Sequence, residues 1–245
     1  MNFNLSEEHL MIKDAAKEFA VNELLPGVIE RDNKQEFSND LVKKMGALGF
    51  MGIMVDPEYG GSGMDTISYV IIMEELSKID ASASVIVSVN NSLVCYGLEA
   101  FGNEAQKQQY LVPLAQGKKD GQLYIGAFLL SEPEAGSDAT SQQTTAIDHG
   151  DYYLINGTKN WITSGGRSDV YIVIAQTDRS KGSKGINAFI IEKGMAGFEI
   201  GPKEDKLGIR GSDTHTLQFN DVKVPKENRI GEDGFGFKFA MKTLS

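Results

Sequence analysis

Gly126-Ala-Phe-Leu-Leu-Ser-Glu-Pro-Glu-Ala-Gly-Ser-Asp138 and, a short way on, Asn156-Gly-Thr-Lys-Asn-Trp-Ile-Thr-Ser-Gly-Gly166 set the reading of the chain. The first completes an apolar run from Leu123 to Leu130 that breaks at Pro133 into a turn of Gly, Ser and Asp. Proline removes a ladder donor, and the small polar residues let the backbone turn tightly. The second predicts an Asn-Gly turn at Asn156-Gly157 feeding a strand that carries the single tryptophan, Trp161. Two residues apart on a strand, Trp161 and Thr163 are expected on one face. Ser131, Gly136 and Ser137 after a strand end gather N–H groups and hydroxyls at one place. Beside a flat aromatic wall, such donors suit a planar ring with a polar edge.

Before this pair the periodicity is helical. Ser6 is the expected N-cap, with Glu7 and Glu8 in the first turn, and Leu10, Ala15, Ala16, Phe19, Ala20 and Leu24 form a stripe that Pro26 ends. Ser38 opens a helix whose Leu41, Met45 and Leu48 face one way. Residues 56–63 read as loop, and helices are predicted over 66–79, 84–101 and 104–116. From 122 to 230 the pattern shortens to strands, for example 152–155, 170–175, 186–191 and 215–219, which suggests a barrel or sandwich. Beyond Gly231 it turns helical again around Phe235, Phe237, Phe239 and Met241. A helix that short is marginal alone, and its phenylalanines are expected to need partners that the chain does not supply. The predicted class is α+β: an all-α domain over 1–120, a β-barrel or sandwich domain over 121–232, and the first helix of a further bundle over 233–245.

Composition narrows the function classes. Hydrophobic residues at 41% and charged residues at 24% are ordinary for a globular protein. A formal charge of −10 in 245 residues disfavours duplex nucleic acid and anionic membrane surfaces as partners. The start has neither a basic segment nor an apolar one, so no signal peptide is read and a cytoplasmic setting is expected. No apolar run is seen to approach the roughly 20 residues of a membrane span. Cys95 sits in an apolar stretch and reads as an inert core thiol. His9, His149 and His215 lack metal-ligand spacing, so no metal is predicted. Gly60–Gly63 and Gly231–Gly236 do not follow a strand inside a βαβ unit, carry no Walker lysine and read as turns. Lys181 and Lys184 lie on a basic loop that suits either phosphate contact or plain solvation. Glu132 and Asp138 form a carboxylate pair, with Asp138 expected to cap a turn.

Leu130-Ser-Glu-Pro-Glu-Ala-Gly-Ser-Asp138 followed by Asn156-Gly-Thr-Lys-Asn-Trp-Ile-Thr163 resembles the acyl-CoA dehydrogenase family. Lys203–Ser212 and Phe219–Pro225 strengthen the likeness, and together with Asn90–Leu93 they look like its short-chain (butyryl-CoA) branch. The resemblance implies an FAD-dependent oxidoreductase of fatty acid β-oxidation that turns a short acyl-CoA into a trans-2-enoyl-CoA. Electrons would pass to an electron-transferring flavoprotein. It implies a homotetramer without membrane insertion. On the positions that match, it implies flavin contacts from Phe128, Leu130, Ser131, Ser137, Trp161, Ile162 and Thr163, and substrate contacts from Ser137, Lys184 and Ser245. It places the catalytic glutamate beyond Ser245, so the chain as given is expected to be inactive. An acyl-CoA oxidase and an inert flavin- or CoA-binding remnant stand as alternatives.

Overall fold

A computed structural model describes residues 4–244, so Ser245 lies outside the described residues. Helix α1 (Glu7–Phe19) begins with a capping box in which Ser6 and His9 satisfy each other's backbone N–H. His9 is therefore a cap, and its ring also meets Asp65. The buried stripe is Ala16, Phe19, Ala20 and Leu24, whereas Leu10, Ala15 and Leu48, expected inside, are exposed. A helix the periodicity missed, α2 (Val28–Lys34), buries no residue and so carries no apolar signature. Helix α3 (Asn39–Ala47) starts at Ser38 as expected, and α4 (Thr66–Ser77) starts from Asp65. Helix α5 (Ala81–Phe101) is followed by α6 (104–116).

Contrary to the sequence reading, α5 is long and apolar enough by length and composition to cross a membrane. Its Ala83, Ile86, Val87, Val94, Cys95 and Leu98 are instead buried within the protein. Burial also pushes the Cys95 thiol far above its usual pKa. Asn90 and Asn91 occupy this helix as structural residues. Asn90 Nδ2 donates to the Met51 and Leu114 carbonyls, while its Oδ1 accepts from Gly126 N–H at 3.0 Å. That last bond ties the helical layer to the strand that leads into the turn.

The strands are β1 (Lys118–Lys119), β2 (Gln122–Leu123), β3 (Gly126–Leu129), β4 (Thr145–Asp148), β5 (Tyr152–Thr163), β6 (Val170–Gln176), β7 (Ile186–Glu192), β8 (Phe198–Lys203), β9 (Thr214–Pro225) and β10 (Arg229–Ile230). Apart from the small β1–β2 pair they form one eight-stranded sheet in the order β10-β7-β6-β4-β5-β9-β8, with β3 also on β6. Both β3 and β4 run parallel to β6, β3 along Val170–Val173 and β4 at Gln176. They thus occupy one slot in succession, and residues 130–144 are an excursion out of that slot and back.

The sheet curls around a core of Tyr153, Ile155, Ile162, Tyr171, Val173, Phe189, Ile191, Leu217, Phe219 and Val224. The opposite faces of β6 and β7, with Ile172, Ile174, Ala188 and Ile190, pack on α5 and α6 through Val94, Leu98, Leu111 and Leu114. This double burial is why every residue of β6 is apolar up to Gln176. Two sequence expectations fail here. Asn156-Gly157 is no turn: it lies inside the twelve-residue β5, at a register shift in the pairing with β9. The last helix, α7 (Gly236–Thr243), is not short of partners either. Phe239 is fully buried against Phe101 and Phe128, and Phe235 packs on Phe101. Phe237 and Met241 pack against the same cluster, so the phenylalanines find their partners within the chain.

Candidate functional site

The pairing of β5 with β9 shifts register twice, between Ile155 and Gly157 and between Lys159 and Ile162. The first shift places its extra residue on β9, so Tyr153, Ile155 and Lys159 keep one even spacing and point inward, whereas the second places it on β5 and brings Ile162 inward three residues after Lys159. Trp161 sits on the second bulge with φ +62°, in a region a bulky residue enters only under constraint. Its indole is 64% exposed. The constraint is visible: Asn160 N–H donates to the Ser131 carbonyl at 2.9 Å, and Thr216 Oγ1 holds Asn160 Oδ1 at 3.2 Å. The end of β3 and the Trp161 bulge are thereby locked side by side.

The excursion is closed at its neck. Glu132 and Ala135 exchange backbone hydrogen bonds at 3.1 and 3.2 Å. The Glu132 carboxylate accepts from the N–H groups of Gln143 and Thr144 on the returning leg. It also faces Lys159 Nζ at 2.6 Å, with both side chains almost wholly buried. Lys159 donates further to Gln142 Oε1 and, at 3.0 Å, to the Leu130 carbonyl. Burial pushes the Lys159 ammonium down to about 8, against the pull of Glu132, which favours the charge. Asp138 caps the tip, accepting from Thr140 and Ser141, and these bonds hold its carboxyl below the usual range. Both carboxylates are thus engaged in holding the turn.

Of the expected site residues, Ser131 is tied beside the exposed Trp161 through Asn160, and the half-buried Thr163 ends the same strand. The Ser131 and Thr163 hydroxyls and the indole N–H have no hydrogen-bond partner among the described residues. Phe128 and Leu130 point the other way, toward the helical layer, and Phe128 meets Phe239. The Ile162 side chain is buried in the sheet core, so only its backbone can serve the face. Ser137 is exposed at the tip of the excursion. Lys184 stands on a neighbouring segment, which Arg179 joins to the excursion through the side-chain oxygen of Gln143 at 2.9 Å. It lines a concavity of about 340 Å³ with Asp233, Phe235 and Lys238. A second concavity, of about 320 Å³, lies beside Arg31 and Ile209, but the Arg31 guanidinium is already taken by Asp80 and by the Pro26 and Leu24 carbonyls.

Sequence reasoning missed Lys159, Gln142 and Asn160. The one signal for Lys159 is the even spacing it keeps with Tyr153 and Ile155, which puts a lysine on the inward face of β5. Among the described residues no group of three or more His, Cys, Asp or Glu side chains is placed to hold a metal ion. His215 instead uses Nδ1 to bond the Gly201 carbonyl at 2.9 Å and lies beside Asp213.

An exposed indole, free hydroxyls and a free Ser131 N–H on a braced turn form a donor edge with an aromatic cover. That donor set fits a planar ring whose edge gains negative charge.

Comparison with known proteins shows the family. Residues 6–118 match the acyl-CoA dehydrogenase N-terminal domain, and residues 127–222 match the acyl-CoA dehydrogenase middle domain. The short-chain specific acyl-CoA dehydrogenase of Clostridium acetobutylicum is 51% identical over 244 residues, covering 100% of this chain and 63% of that protein. The butyryl-CoA dehydrogenase structure from Megasphaera elsdenii superposes with a TM-score of 0.94 at 47% identity, covering 100% of this chain and 63% of the other. A chain in a structure of the electron transferring flavoprotein of Acidaminococcus fermentans gives 0.95 at 50% identity, over the same shares. The chain thus spans less than two thirds of the length of these relatives.

Proposed function

The chain belongs to the acyl-CoA dehydrogenase family, and on that premise we propose that its protein is an FAD-dependent dehydrogenase of short-chain acyl-CoA thioesters. The product would be a trans-2-enoyl-CoA, with electrons passing to an electron-transferring flavoprotein. The observation that carries the reading is Trp161, held exposed at positive φ beside the unpartnered donors of Ser131. Bound FAD would supply the two-electron acceptor.

This chain's residues would bind and orient it. Ser131 offers donors to the pyrimidine edge, Trp161 covers the ring, and Thr163 adds a hydroxyl beside it. Ser137, at the tip of the excursion, would meet both ring and thioester, and Lys184 the phosphates of coenzyme A. Glu132 is paired with Lys159 and Asp138 caps a turn, so neither is offered as the acceptor of the α-proton. The proposal assigns that role to a glutamate outside residues 1–245. A homotetramer in the cytoplasm belongs to the same proposal.

The test is the absorption spectrum of the complete protein. It should purify yellow with FAD and bleach anaerobically with butyryl-CoA. A folded, colourless protein whose spectrum ignores added FAD would sink the flavin reading. Higher kcat/KM for a long-chain thioester than for butyryl-CoA would overturn the short-chain assignment.

A further inference from the structure

The Leu130–Ser131 peptide unit is gripped from behind. Its carbonyl accepts from Lys159 Nζ at 3.0 Å and from Gln142 Nε2 at 3.2 Å. Its N–H, which belongs to Ser131, finds no acceptor among the described residues. A trans peptide sets N–H and C=O on opposite sides, so donors on the oxygen leave the N–H facing away from them. Hydrogen bonds in a chain polarise one another, so two donors on the oxygen make the opposite N–H a stronger donor.

Stability alone does not account for this arrangement. Replacing a buried ion pair by apolar residues of similar volume is often neutral or stabilising. Lys159 and Gln142 are both buried, at 0% and 2% exposure, and neither reaches the open face. Whatever they do for a ligand, they do through the peptide they hold. Glu132 faces Lys159 from the other side and balances its charge, so the influence runs along the bonds rather than as a net positive field.

We propose that Lys159, seconded by Gln142, is a positioning residue that fixes the Leu130–Ser131 peptide and strengthens its outward N–H toward the charge arising on the flavin edge upon reduction. The proposal rests on the flavin reading above and adds to it the origin of the donor's strength. It also gives the excursion a reason for its buried lysine: the same ammonium that closes the neck sets the donor.

The experiment compares the FAD-loaded complete protein with its Lys159→Met and Gln142→Leu variants. It reads FAD affinity, the midpoint potential of the bound flavin, and thermal unfolding of the apoprotein. Lys159→Met should weaken binding of reduced relative to oxidised flavin on the order of tenfold, a fall of about 30 mV for a two-electron couple. Gln142→Leu, which leaves the Lys159–Glu132 pair in place, should shift the potential the same way by about threefold, roughly 15 mV. Lower stability with unchanged potentials overturns the proposal and leaves Lys159 a structural residue only. A wild-type protein that binds no FAD overturns the flavin reading and this proposal with it. A wild type that binds FAD, with variants of unchanged potential, overturns this proposal alone. Should Lys159→Met not fold, the potential of Gln142→Leu decides.

Discussion

Two parts of the molecule are buried to the same degree by opposite means. Where β6 and β7 meet α5 and α7, the contacts are apolar, with Ile172, Ile190, Leu98 and Phe239 in one cluster. At the neck of the excursion, the buried groups are a lysine, a glutamate and a glutamine that answer one another. The apolar region tolerates exchange of like for like, because it asks only for volume and hydrophobicity. The polar knot does not, because removing one partner strands another in a place without water.

The largest effects test this difference directly. Phe239→Ala and Lys159→Ala should each cost about 3–5 kcal/mol in denaturant unfolding, the first by opening a cavity and the second by leaving Glu132 buried and unpaired. The double variant Lys159→Met with Glu132→Leu should regain part of the second loss, the remainder being the Gln143 and Thr144 N–H groups that lose their acceptor, whereas no polar partner added beside Phe239→Ala should regain the first. If the double variant is as unstable as Lys159→Ala, the knot is a stabilising device and the comparison fails.

A pH series sharpens the same contrast. Lys159 in the folded chain holds its proton only to about pH 8, below the ordinary 10.5 of the unfolded chain. Through that window the unfolded state binds more protons, so this group's contribution to stability rises with pH. Relative to Lys159→Met, the wild type should gain on the order of 1–3 kcal/mol between pH 8 and 10.5. Parallel curves for the two proteins would show the ammonium to be unperturbed.

Smaller again is Gly157→Ala. Gly157 has φ +150°, and an added Cβ would lie 2.6 Å from the Thr144 backbone on the excursion's returning leg. The expected loss is about 1–3 kcal/mol, with weaker FAD binding because Thr144 is one of the groups that Glu132 holds. Unaltered FAD affinity would detach the returning leg from the site. At the bottom of the scale stands Lys181→Ala. Its pairs with Asp178 and Asp233 are exposed, and the expected change is below about 0.5 kcal/mol.

These contrasts also mark what could be read in the sequence. Strands β6 and β7 are legible because both faces are buried, with an apolar run from Val170 to Ala175 in one and from Ala188 to Ile191 in the other. Ser6 and Ser38 announced their helices because capping is local chemistry. Strand β5 was misread at Asn156-Gly157, since the residues that favour a hairpin turn also suit a bulge. The motifs around Ser131 and Trp161 lie side by side in the fold, joined by the Asn160 N–H on the Ser131 carbonyl. The inward place of Lys159 follows the alternation of Tyr153 and Ile155, but the burial of Ile162 depends on the bulge at Asn160–Trp161, which only the pairing with β9 reveals. Phe239 was expected to lack partners because those it has, Phe101 and Phe128, are distant in sequence.

The shared slot of β3 and β4 makes the excursion a removable link in the covalent chain. Gly136 and Ser137 are exposed at its tip, while both of its legs are fastened below by Glu132. A protease cut between them would sever the backbone without freeing either side. The two pieces should stay together as a split protein that elutes at the size of the intact one and separates only in denaturant.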